Sequence, residues 1–329
     1  MKKLKLLILL VSFFIVVGCN KANDPKKQLL NSLKKVDSYH LEANMTIYNN
    51  EESYDYNLDI KFKKDDLFRV SMKNKANDHE QIVLRNKEGV YVLTPSLNKS
   101  FKFQSEWPYN DSQAYLLQTV IQDIKNDTDS KTTQISEGSM IKSKVNYSNN
   151  SKLVNQKVYL DNNNQITKVE VVDQDDKVQV LVKFNNITYN EKVDDEEFNV
   201  EKNLTVAKTY DPKITKEMSN IIYPLYIPDN TYLTSQDKVK KTDGERVILN
   251  FSGDKKFTII EETATISEDN TTIPMSGTLY QIADVFGVKE DNSISWISNG
   301  IEYYVVSEDL SNDELVSIAK SMATLPVSK

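Results

Sequence analysis

The feature that most constrains this chain is a regular alternation of apolar and polar residues that begins near Tyr39. Every second residue is apolar from Leu41 to Ile47, and after a turn the same period returns between Tyr54 and Phe62. Successive side chains of a strand point to opposite faces, so a period of two predicts strands with one buried face. Similar runs continue to about residue 184, separated by short clusters of Asn, Asp and Gly that are typical of turns. The pattern therefore predicts an antiparallel meander and a β-rich α+β fold.

Near the amino terminus, and again after residue 110, the apolar residues recur every three or four positions instead of every two. Asp24 can cap a first helix, and Pro25 suits its first turn. A second helix is predicted over 111–124, with Asp111 as its cap and apolar residues recurring at helical spacing. Both helices are amphipathic, so each needs an apolar surface to cover.

The carboxy-terminal part carries weaker signals. A short helix is predicted over 278–286 and ends at Gly287. Asn299-Gly300 predicts a hairpin between two strands, since this dipeptide suits a tight two-residue turn. The last helix is predicted to begin at Ser311, where Glu314 three residues later completes a capping box.

The first nineteen residues have the three-part build of a secretory signal. Lys2, Lys3 and Lys5 form a positive region, 6–17 are apolar, and Val-Val-Gly-Cys closes the segment at Cys19. These last four residues resemble the lipobox of bacterial lipoproteins. The resemblance implies cleavage after Gly18 and a diacylglyceryl thioether on Cys19, with acyl chains such as palmitate. The alternative is an uncleaved amino-terminal anchor helix; both interpretations place the remaining chain outside the cytoplasm, against a membrane.

The strand pattern stops after residue 203, and Pro212 lies in the stretch that follows. We therefore predict a signal peptide over 1–18, an acylated tether over 19–24 and a first domain over 25–202. A linker over 203–222 and a small α+β carboxy-terminal domain over 223–329 complete the chain. Few contacts are expected to cross a linker of this kind.

Composition and motifs point away from catalysis. The formal net charge is −7, and removing Lys2, Lys3 and Lys5 leaves −10, so binding to nucleic acid through charge is not expected. The two histidines, His40 and His79, have no paired base or metal-ligand motif in the sequence, and no nucleophile or phosphate-binding motif is present. We expect no catalytic residues, no metal site, no cofactor and therefore no enzyme.

Several segments between 25 and 200 resemble the LolA-like superfamily of lipoprotein carriers, which includes the amino-terminal domain of RseB-type regulators. Lys64 to Val70 resembles a strand opening of that family, and Glu88 to Pro95 its acidic-Gly, aromatic, Pro strand. The strands between Val158 and Phe184, then Asn186-Ile187 and Phe198, resemble its closing run. The resemblance implies a curved antiparallel incomplete β-barrel with helices on its concave side. Lys64 stands where the family has an arginine, so the family's lid latch is in doubt.

The carboxy-terminal part resembles a small domain of unknown function found in Gram-positive surface lipoproteins and some anti-sigma factors. Tyr223 to Pro228 carries this resemblance, together with the stretch from Trp296 through Asn299-Gly300 to Tyr303. The resemblance implies a two-domain membrane lipoprotein of the kind found in spore-forming bacteria, in some cases near sporulation or germination.

The LolA-like resemblance also implies an apolar cavity inside the curved sheet. Ten apolar residues are predicted to face inward, and they line either a ligand-binding cavity or a filled core: Leu41, Met45, Ile47, Tyr56, Ile60, Phe68, Val70, Met72, Leu117 and Ile121.

Two functions remain open at this point. The first is an extracytoplasmic lipoprotein, anchored on the outer face of the cytoplasmic membrane through Cys19, that binds or senses a lipid or lipoprotein acyl chain. The alternative is a cell-envelope assembly or regulatory protein that acts through a protein partner and has no ligand-accessible cavity. A filled core beside an exposed apolar patch would favour the alternative.

Overall fold

The computed structural model describes residues 24–49, 52–147, 150–206, 218, 220–282 and 285–323. The predicted signal peptide and Cys19 lie outside the described residues. Within the described residues, nineteen strands form two sheets, against which four α-helices pack. No helix of the described residues is long and apolar enough to cross a membrane.

The first sheet is the predicted curved antiparallel meander. Its first eleven strands follow in chain order: β1 (Ser38–Asn49), β2 (Glu52–Lys63), β3 (Leu67–Asn74), β4 (Glu80–Asn86), β5 (Gly89–Thr94), β6 (Lys99–Phe103), β7 (Lys131–Ile135), β8 (Gly138–Lys144), β9 (Asn155–Leu160), β10 (Ile166–Val172) and β11 (Val178–Tyr189). From one edge, their spatial order is β7-β8-β9-β10-β11-β1-β2-β3-β4-β5-β6. A twelfth strand, β15 (Thr271–Met275), pairs in parallel with β6. The end strands β7 and β15 do not pair with each other, which confirms the predicted open, incomplete barrel.

The long hairpin of β1 and β2 sets the register of this sheet. All twelve residues of each strand pair, so that Leu41 lies opposite Ile60 and Met45 opposite Tyr56. These four side chains share the buried face, as the alternation predicts. Asp65 and its neighbour then adopt left-handed backbone angles, which reverse the chain into β3.

Helix α1 (Pro25–Leu33) packs against the sheet as predicted. The Asp24 carboxylate accepts a hydrogen bond from the Lys27 backbone N–H at 3.3 Å, and Pro25 occupies the first helical position. Leu29 of this helix is 2% exposed and lies in the core of the first sheet. The predicted cap and start of α1 are therefore confirmed.

Helix α2 (Leu117–Asn126) begins later than predicted. The Ser112 N–H donates to the Asn146 carbonyl at 2.8 Å, and the Gln113 N–H donates to Thr119 Oγ1 at 3.2 Å. With these backbone groups bonded outside a helical ladder, Asp111 cannot cap the helix, and Leu116 occupies the N-cap position. The prediction of a helix over 111–124 was therefore wrong for its first six residues.

The convex face of β3–β5 is also covered. A short 3₁₀ helix (Asp195–Phe198) and α3 (Val200–Val206) pack on it, and Leu204 is buried against Leu84 and Leu93. Strands covered on both faces have nearly continuous apolar runs, which explains the burial of all of 90–94. Helix α3 continues past the predicted domain boundary at 202.

The second sheet holds the carboxy-terminal part. Its strands are β12 (Thr231–Lys241), β13 (Gly244–Gly253), β14 (Phe257–Thr263), β16 (Thr278–Ile282), β17 (Val285–Lys289), β18 (Ser293–Ser298) and β19 (Ile301–Val306), in the spatial order β12-β13-β14-β19-β18-β17-β16. Helix α4 (Asn312–Ala323) packs on its apolar face.

Two predicted turn and cap signals of this region are confirmed. Asn299 and Gly300 both have positive φ and join β18 to β19. The Ser311 N–H donates to Glu314 Oε2 at 2.8 Å, and the Glu314 N–H donates to Ser311 Oγ at 3.3 Å, which is the predicted capping box.

The helix predicted over 278–286 was wrong, because the chain forms β16 and β17 there. Leu279 packs into the core of the first sheet, whereas Tyr280 and Ile282 pack into the core of the second. A segment buried on both faces shows no clear period of two, so its sequence resembles a helix as much as a strand.

The two parts of the chain are joined by more than the predicted linker. Strand β15 belongs to the first sheet, and Leu279, Phe286 and Val288 lie in the core of that sheet. The predicted boundaries at 203–222 stay a prediction, and 207–217 and 219 lie outside the described residues.

Candidate functional site

Nine of the ten residues predicted to line the concave side come together there. Eight are at most 3% exposed and lie in one core cluster: Leu41, Met45, Tyr56, Ile60, Phe68, Val70, Met72 and Leu117. Ile47 is half-buried and packs against the same cluster. Ile121 is half-buried outside it, because α2 turns the face with Leu117, Val120 and Ile124 inward.

Three aromatic side chains that the sequence analysis did not list as cavity residues, Tyr39, Phe62 and Trp107, pack with Phe68 in the middle of this concave side. The rings of Tyr39, Phe62, Phe68 and Trp107 follow one another with centroid separations of 5.2, 4.9 and 6.0 Å. The Tyr39 hydroxyl donates to Gln118 Oε1 at 2.7 Å, which ties β1 to α2. Burial raises the pKa of Tyr39, so the residue stays neutral. The sequence could have predicted the inward position of Tyr39 and Phe62, since both continue the inward alternation of their strands.

The convex side carries a polar network around His40. Its Nε2 lies 2.8 Å from Asp59 Oδ2, and Arg69 Nη1 donates to Asp59 Oδ1 at 2.8 Å. His40, Glu42 and Asp59 could offer ligand atoms to a metal ion. Asp59 is, however, already paired with two cationic or polar partners, and Arg69 also donates to Asn203 Oδ1 at 2.6 Å. These bonds attach α3 to the sheet and explain the cluster without a ligand.

A contact between the two sheets forms a second concave region, which the sequence did not predict. The Phe286 N–H donates to Gln81 Oε1 at 2.9 Å, joining β17 to β4. Lys99 Nζ lies 2.8 Å from Glu302 Oε1, and the two side chains are only 13% and 16% exposed. A cavity of about 180 Å³ lies beside these contacts, with walls from both sheets.

An exposed apolar surface lies at the free edge of the second sheet. We call it the aromatic edge, and it consists of Tyr223, Leu225, Tyr226, Ile227, Tyr232 and Leu233. These six are half of the twelve exposed large hydrophobic residues in the described part of the chain. Leu225 is 72% and Tyr232 is 62% exposed, and the Tyr223 hydroxyl donates to Gln236 of β12. Exposed apolar side chains concentrated in this way are typical of interaction sites.

Comparison with known proteins gives the chain a family. A model of the sporulation protein YdcC-like family matches residues 1–198. A curated relative, the sporulation protein YdcC of Bacillus subtilis (strain 168), is 37% identical over 295 residues, covering 88% of this chain and 86% of that protein. The chain belongs to the sporulation protein YdcC-like family.

Solved structures similar to this family member include the two groups that the sequence resembles. A chain of the Pseudomonas aeruginosa MucA/MucB complex is 11% identical with a TM-score of 0.33, covering 90% of this chain and 97% of that one. A LolA superfamily protein of Nitrosomonas europaea is 9% identical with a TM-score of 0.30, covering 53% of this chain and 97% of that one. A LolA superfamily protein, the group that the first domain was predicted to resemble, is thus among the solved structures similar to this chain. At these scores the neighbours carry no argument about function.

Proposed function

We propose that this YdcC-like protein is a lipoprotein anchored on the outer face of the cytoplasmic membrane, where it takes part in sporulation by binding a protein partner. The observation that carries the proposal is the aromatic edge beside β12. The family description supports the process, and the sequence of 1–19 supports the location. In this proposal the protein binds a partner protein at the aromatic edge, and it does not bind an acyl chain in the concave side of the first sheet.

The anchor is the first part of the proposal. Lys2, Lys3 and Lys5 precede an apolar run that ends in Val-Val-Gly-Cys at Cys19. A diacylglyceryl group on Cys19 provides two acyl chains, and two chains anchor a protein stably where one does not. The acidic net charge makes this covalent lipid, rather than charge, the means of attachment.

Strand β12 provides the docking edge. Within the described residues it pairs only with β13, so its other side presents free backbone N–H and carbonyl groups. Every residue from Tyr232 to Lys240 is exposed, on both faces of the strand. Edge strands of this kind recruit an extended segment of a partner, and side chains beside the edge give specificity.

The two ends of β12 differ in chemistry. Tyr232 and Leu233 at one end adjoin Tyr223 through 227, whereas Lys238, Lys240 and Lys241 lie at the other. Lysines on an edge oppose unspecific pairing. Lys238 already pairs with Glu245 at 2.7 Å, and Lys241 pairs with Glu262. A partner strand would therefore place apolar side chains against the aromatic edge and an acidic or polar one against Lys240.

The concave side of the first sheet supports the same choice. The inward residues are nearly all buried in one continuous core, with the ring of Phe68 within 6.0 Å of that of Trp107 across the concavity. Side chains packed in this way fill the space that a carrier would keep for an acyl chain. Binding in the concave side would require α2 and the residues around Trp107 to move.

Site-specific photocrosslinking in sporulating cells tests the proposal. A photoreactive phenylalanine at Tyr232 is expected to give one discrete crosslinked product, and the additional change Leu225→Asp should reduce it about tenfold or more, as for a hot-spot side chain. The matched control places the same group at Ile135, which is exposed on an edge strand of the first sheet, β7, outside the aromatic edge. Equal crosslinking at both positions, or wild-type sporulation with Leu225→Asp and Tyr232→Asp, would contradict the proposal. In the same cells, Cys19→Ala should remove acyl labelling and membrane attachment; retained labelling would disprove the anchor.

A further inference from the structure

The side of helix α1 that faces away from the first sheet is basic. It carries three exposed lysines, Lys27, Lys34 and Lys35, and Asn31 is exposed between them. Positions 27, 31, 34 and 35 fall on one side of a helix with 3.6 residues per turn. Leu29 lies on the other side, where it is 2% exposed and packs into the core of the first sheet. We call the four exposed residues the basic face.

Within the described residues, no carboxylate forms an ion pair with these lysines. The Asp24 carboxylate accepts the backbone N–H of Lys27 at the start of the helix. Asp37, the next acidic residue along the chain, lies 3.0 Å from Lys64 Nζ. Residues 20–37 hold five lysines and only these two aspartates, whereas the whole chain has a formal net charge of −7. The basic face is therefore a local positive surface on an acidic protein.

The distance from the proposed anchor sets the basic face apart from other exposed lysines, which are most often only solvated. Four residues separate Cys19 from Asp24, so the two Cα atoms are at most about 18 Å apart. Helix α1 has nine residues and extends only about 14 Å further. When acyl chains on Cys19 are inserted in the bilayer, the basic face therefore stays within reach of the lipid headgroups.

The chemistry of the basic face fits a charged surface. Helix α1 is described over its whole length, and it exposes no large apolar side chain. Insertion among acyl chains would need such side chains, and the core of a protein interface is usually apolar and depleted in lysine. Anionic phospholipid headgroups require neither, because lysine ammonium groups attract them through charge and donate hydrogen bonds to phosphate oxygens. The basic face therefore matches a membrane surface better than a protein partner.

Three lysines are enough only because the chain is tethered. Each lysine near an anionic bilayer favours the docked state about fivefold, and salt limits this effect to about 8 Å. For a freely diffusing protein that gain is small against the cost of association. A short tether makes docking intramolecular, with an effective concentration in the millimolar range. The acyl chains thus attach the protein, and the lysines fix which side of it faces the bilayer.

We propose that the basic face of α1 docks on anionic phospholipid headgroups and thereby fixes the orientation of the protein on the membrane. This proposal rests on the anchor proposed above, because only an acylated Cys19 holds α1 at the surface. The core packing of Leu29 transmits the orientation to the first sheet, since α1 cannot turn without leaving that core. The first sheet is therefore held in one orientation relative to the bilayer.

Headgroup quenching on vesicles tests the proposal separately from acylation. A histidine tag replaces Cys19 in the chain 20–329 and holds it on vesicles that contain a nickel-chelating lipid. The chain then contains no cysteine, so one fluorophore is placed at Ser32→Cys, which is exposed beside the basic face. A nitroxide on the lipid headgroups quenches a label only at the bilayer surface. The label at Ser32 should be quenched about fivefold more strongly on vesicles with phosphatidylglycerol than on vesicles of phosphatidylcholine.

A second label gives the matched control for position. Ser53 is exposed on the convex face, because its neighbours Tyr54 and Tyr56 point into the concave core. It pairs with Tyr48, ten residues along β1 from Ser38, which corresponds to about 33 Å of strand. The label at Ser53→Cys should be quenched weakly and to the same extent on both kinds of vesicle.

Two triple variants of equal net charge separate the basic face from charge in general. Lys27→Gln, Lys34→Gln and Lys35→Gln together should lower the ratio of docked to undocked chains about a hundredfold, and arginine at the same positions should preserve it. The control changes three exposed lysines in turns at the opposite end of the strands and should preserve docking: Lys75→Gln, Lys152→Gln and Lys177→Gln. Equal quenching of the two labels, quenching at Ser32 that is independent of lipid charge, or the same loss in both glutamine variants overturns the proposal. Failure of the anchor is seen separately, as acyl labelling that survives Cys19→Ala.

Discussion

The two sheets cover their apolar faces with different kinds of contact. The concave face of the first is closed by apolar and aromatic packing, from Leu29 and Leu117 to the ring of Trp107. The second is closed partly by α4 and partly by Met218, Ile221 and Ile222. Carboxylates accept the backbone N–H groups of Met218 and Ile222. Glu261, with no exposed surface, accepts the Ile222 N–H with both oxygens at 3.0 and 3.1 Å, and Glu245 accepts the Met218 N–H at 3.0 Å.

This difference has a consequence for pH. Burial raises the pKa of Glu261 to about 7, against an ordinary value of 4.5. On the first sheet, burial raises the pKa of the Asp123 carboxylate of α2 to about 6. Both covers therefore carry a carboxylate whose pKa lies near neutral pH. In the second sheet this carboxylate, Glu261, itself accepts a hydrogen bond from the covering segment, so its protonation bears directly on how that segment is attached.

The largest effect is expected when the second region is removed. The fragment 24–206 lacks β15 and the three side chains Leu279, Phe286 and Val288, which are buried in the first core. At about 1.5–3 kcal/mol for each buried side chain, the loss is about 4.5–9 kcal/mol, comparable with the whole stability of a domain. Denaturant unfolding followed on Trp107 measures it, with the full chain carrying Trp296→Phe as the reference. A fragment as stable as that reference would show that the first sheet folds independently, as a linker over 203–222 predicts.

The next effect concerns the filled concave side. Leu117→Ala should cost about 2–5 kcal/mol, the range for a leucine in a packed core. Ile121→Ala on the same helix is the matched control and should cost clearly less, because Ile121 is half-buried outside the core cluster. Urea unfolding of the full chain compares the two. If Leu117→Ala lowers the free energy of unfolding no more than Ile121→Ala does, open volume lies beside α2. That result would favour binding of an acyl chain over the proposed partner binding.

The smallest effect is the pH dependence carried by Glu261. Its folded pKa lies above its ordinary value, so the folded chain binds more protons between pH 4.5 and about 7, and the stability present below that range is lost as the pH rises through it. Unfolding followed on Trp296, in a chain with Trp107→Phe, should show a decrease of about 1–3 kcal/mol from pH 4.5 to pH 8.

Glutamine substitutions separate this contribution from others. Glu261→Gln keeps an acceptor for the Ile222 N–H and should make the decrease smaller, leaving the part that Asp123 contributes through its own raised pKa. Glu245→Gln should leave the decrease in place, since the hydrogen bond with Lys238 lowers the pKa of Glu245 and gives it the opposite pH dependence. An undiminished decrease in Glu261→Gln would disprove the role of this carboxylate.

Much of the first sheet could be predicted from local patterns. The period of two at 39–62 predicts strands, register and buried face together, because a slip by one residue would turn every apolar side chain to solvent. The helix caps at Asp24 and Ser311 could be predicted equally well, since a cap depends on hydrogen bonds between residues three positions apart. Strands β7 and β12 were missed for the complementary reason. Both are exposed along their length and therefore show no apolar period.

The candidate sites show the same division. The concave residues could be predicted as inward-facing, but whether they surround empty space or a core depends on the Tyr39, Phe62 and Trp107 rings that meet them from other elements. Nothing local marks Gln81 and Phe286 as hydrogen-bond partners, since they are 205 positions apart in the chain. The aromatic residues at 223–227 were visible, but not their exposure.

By itself, the sequence determined the antiparallel meander and the helix caps at Asp24 and Ser311, because each depends on residues close together along the chain. The lipobox-like start rests on the same kind of local pattern and stays a prediction. The tertiary structure decided which of the two sheets each carboxy-terminal strand joins, and it turned 278–286 from a predicted helix into two strands. It also decided that a cavity lies between the sheets. These features depend on contacts between residues far apart in the chain, such as Lys99 with Glu302 and Gln81 with Phe286. Such contacts stabilise the protein only after both parts of the chain have folded against each other. No local sequence pattern therefore predicts them.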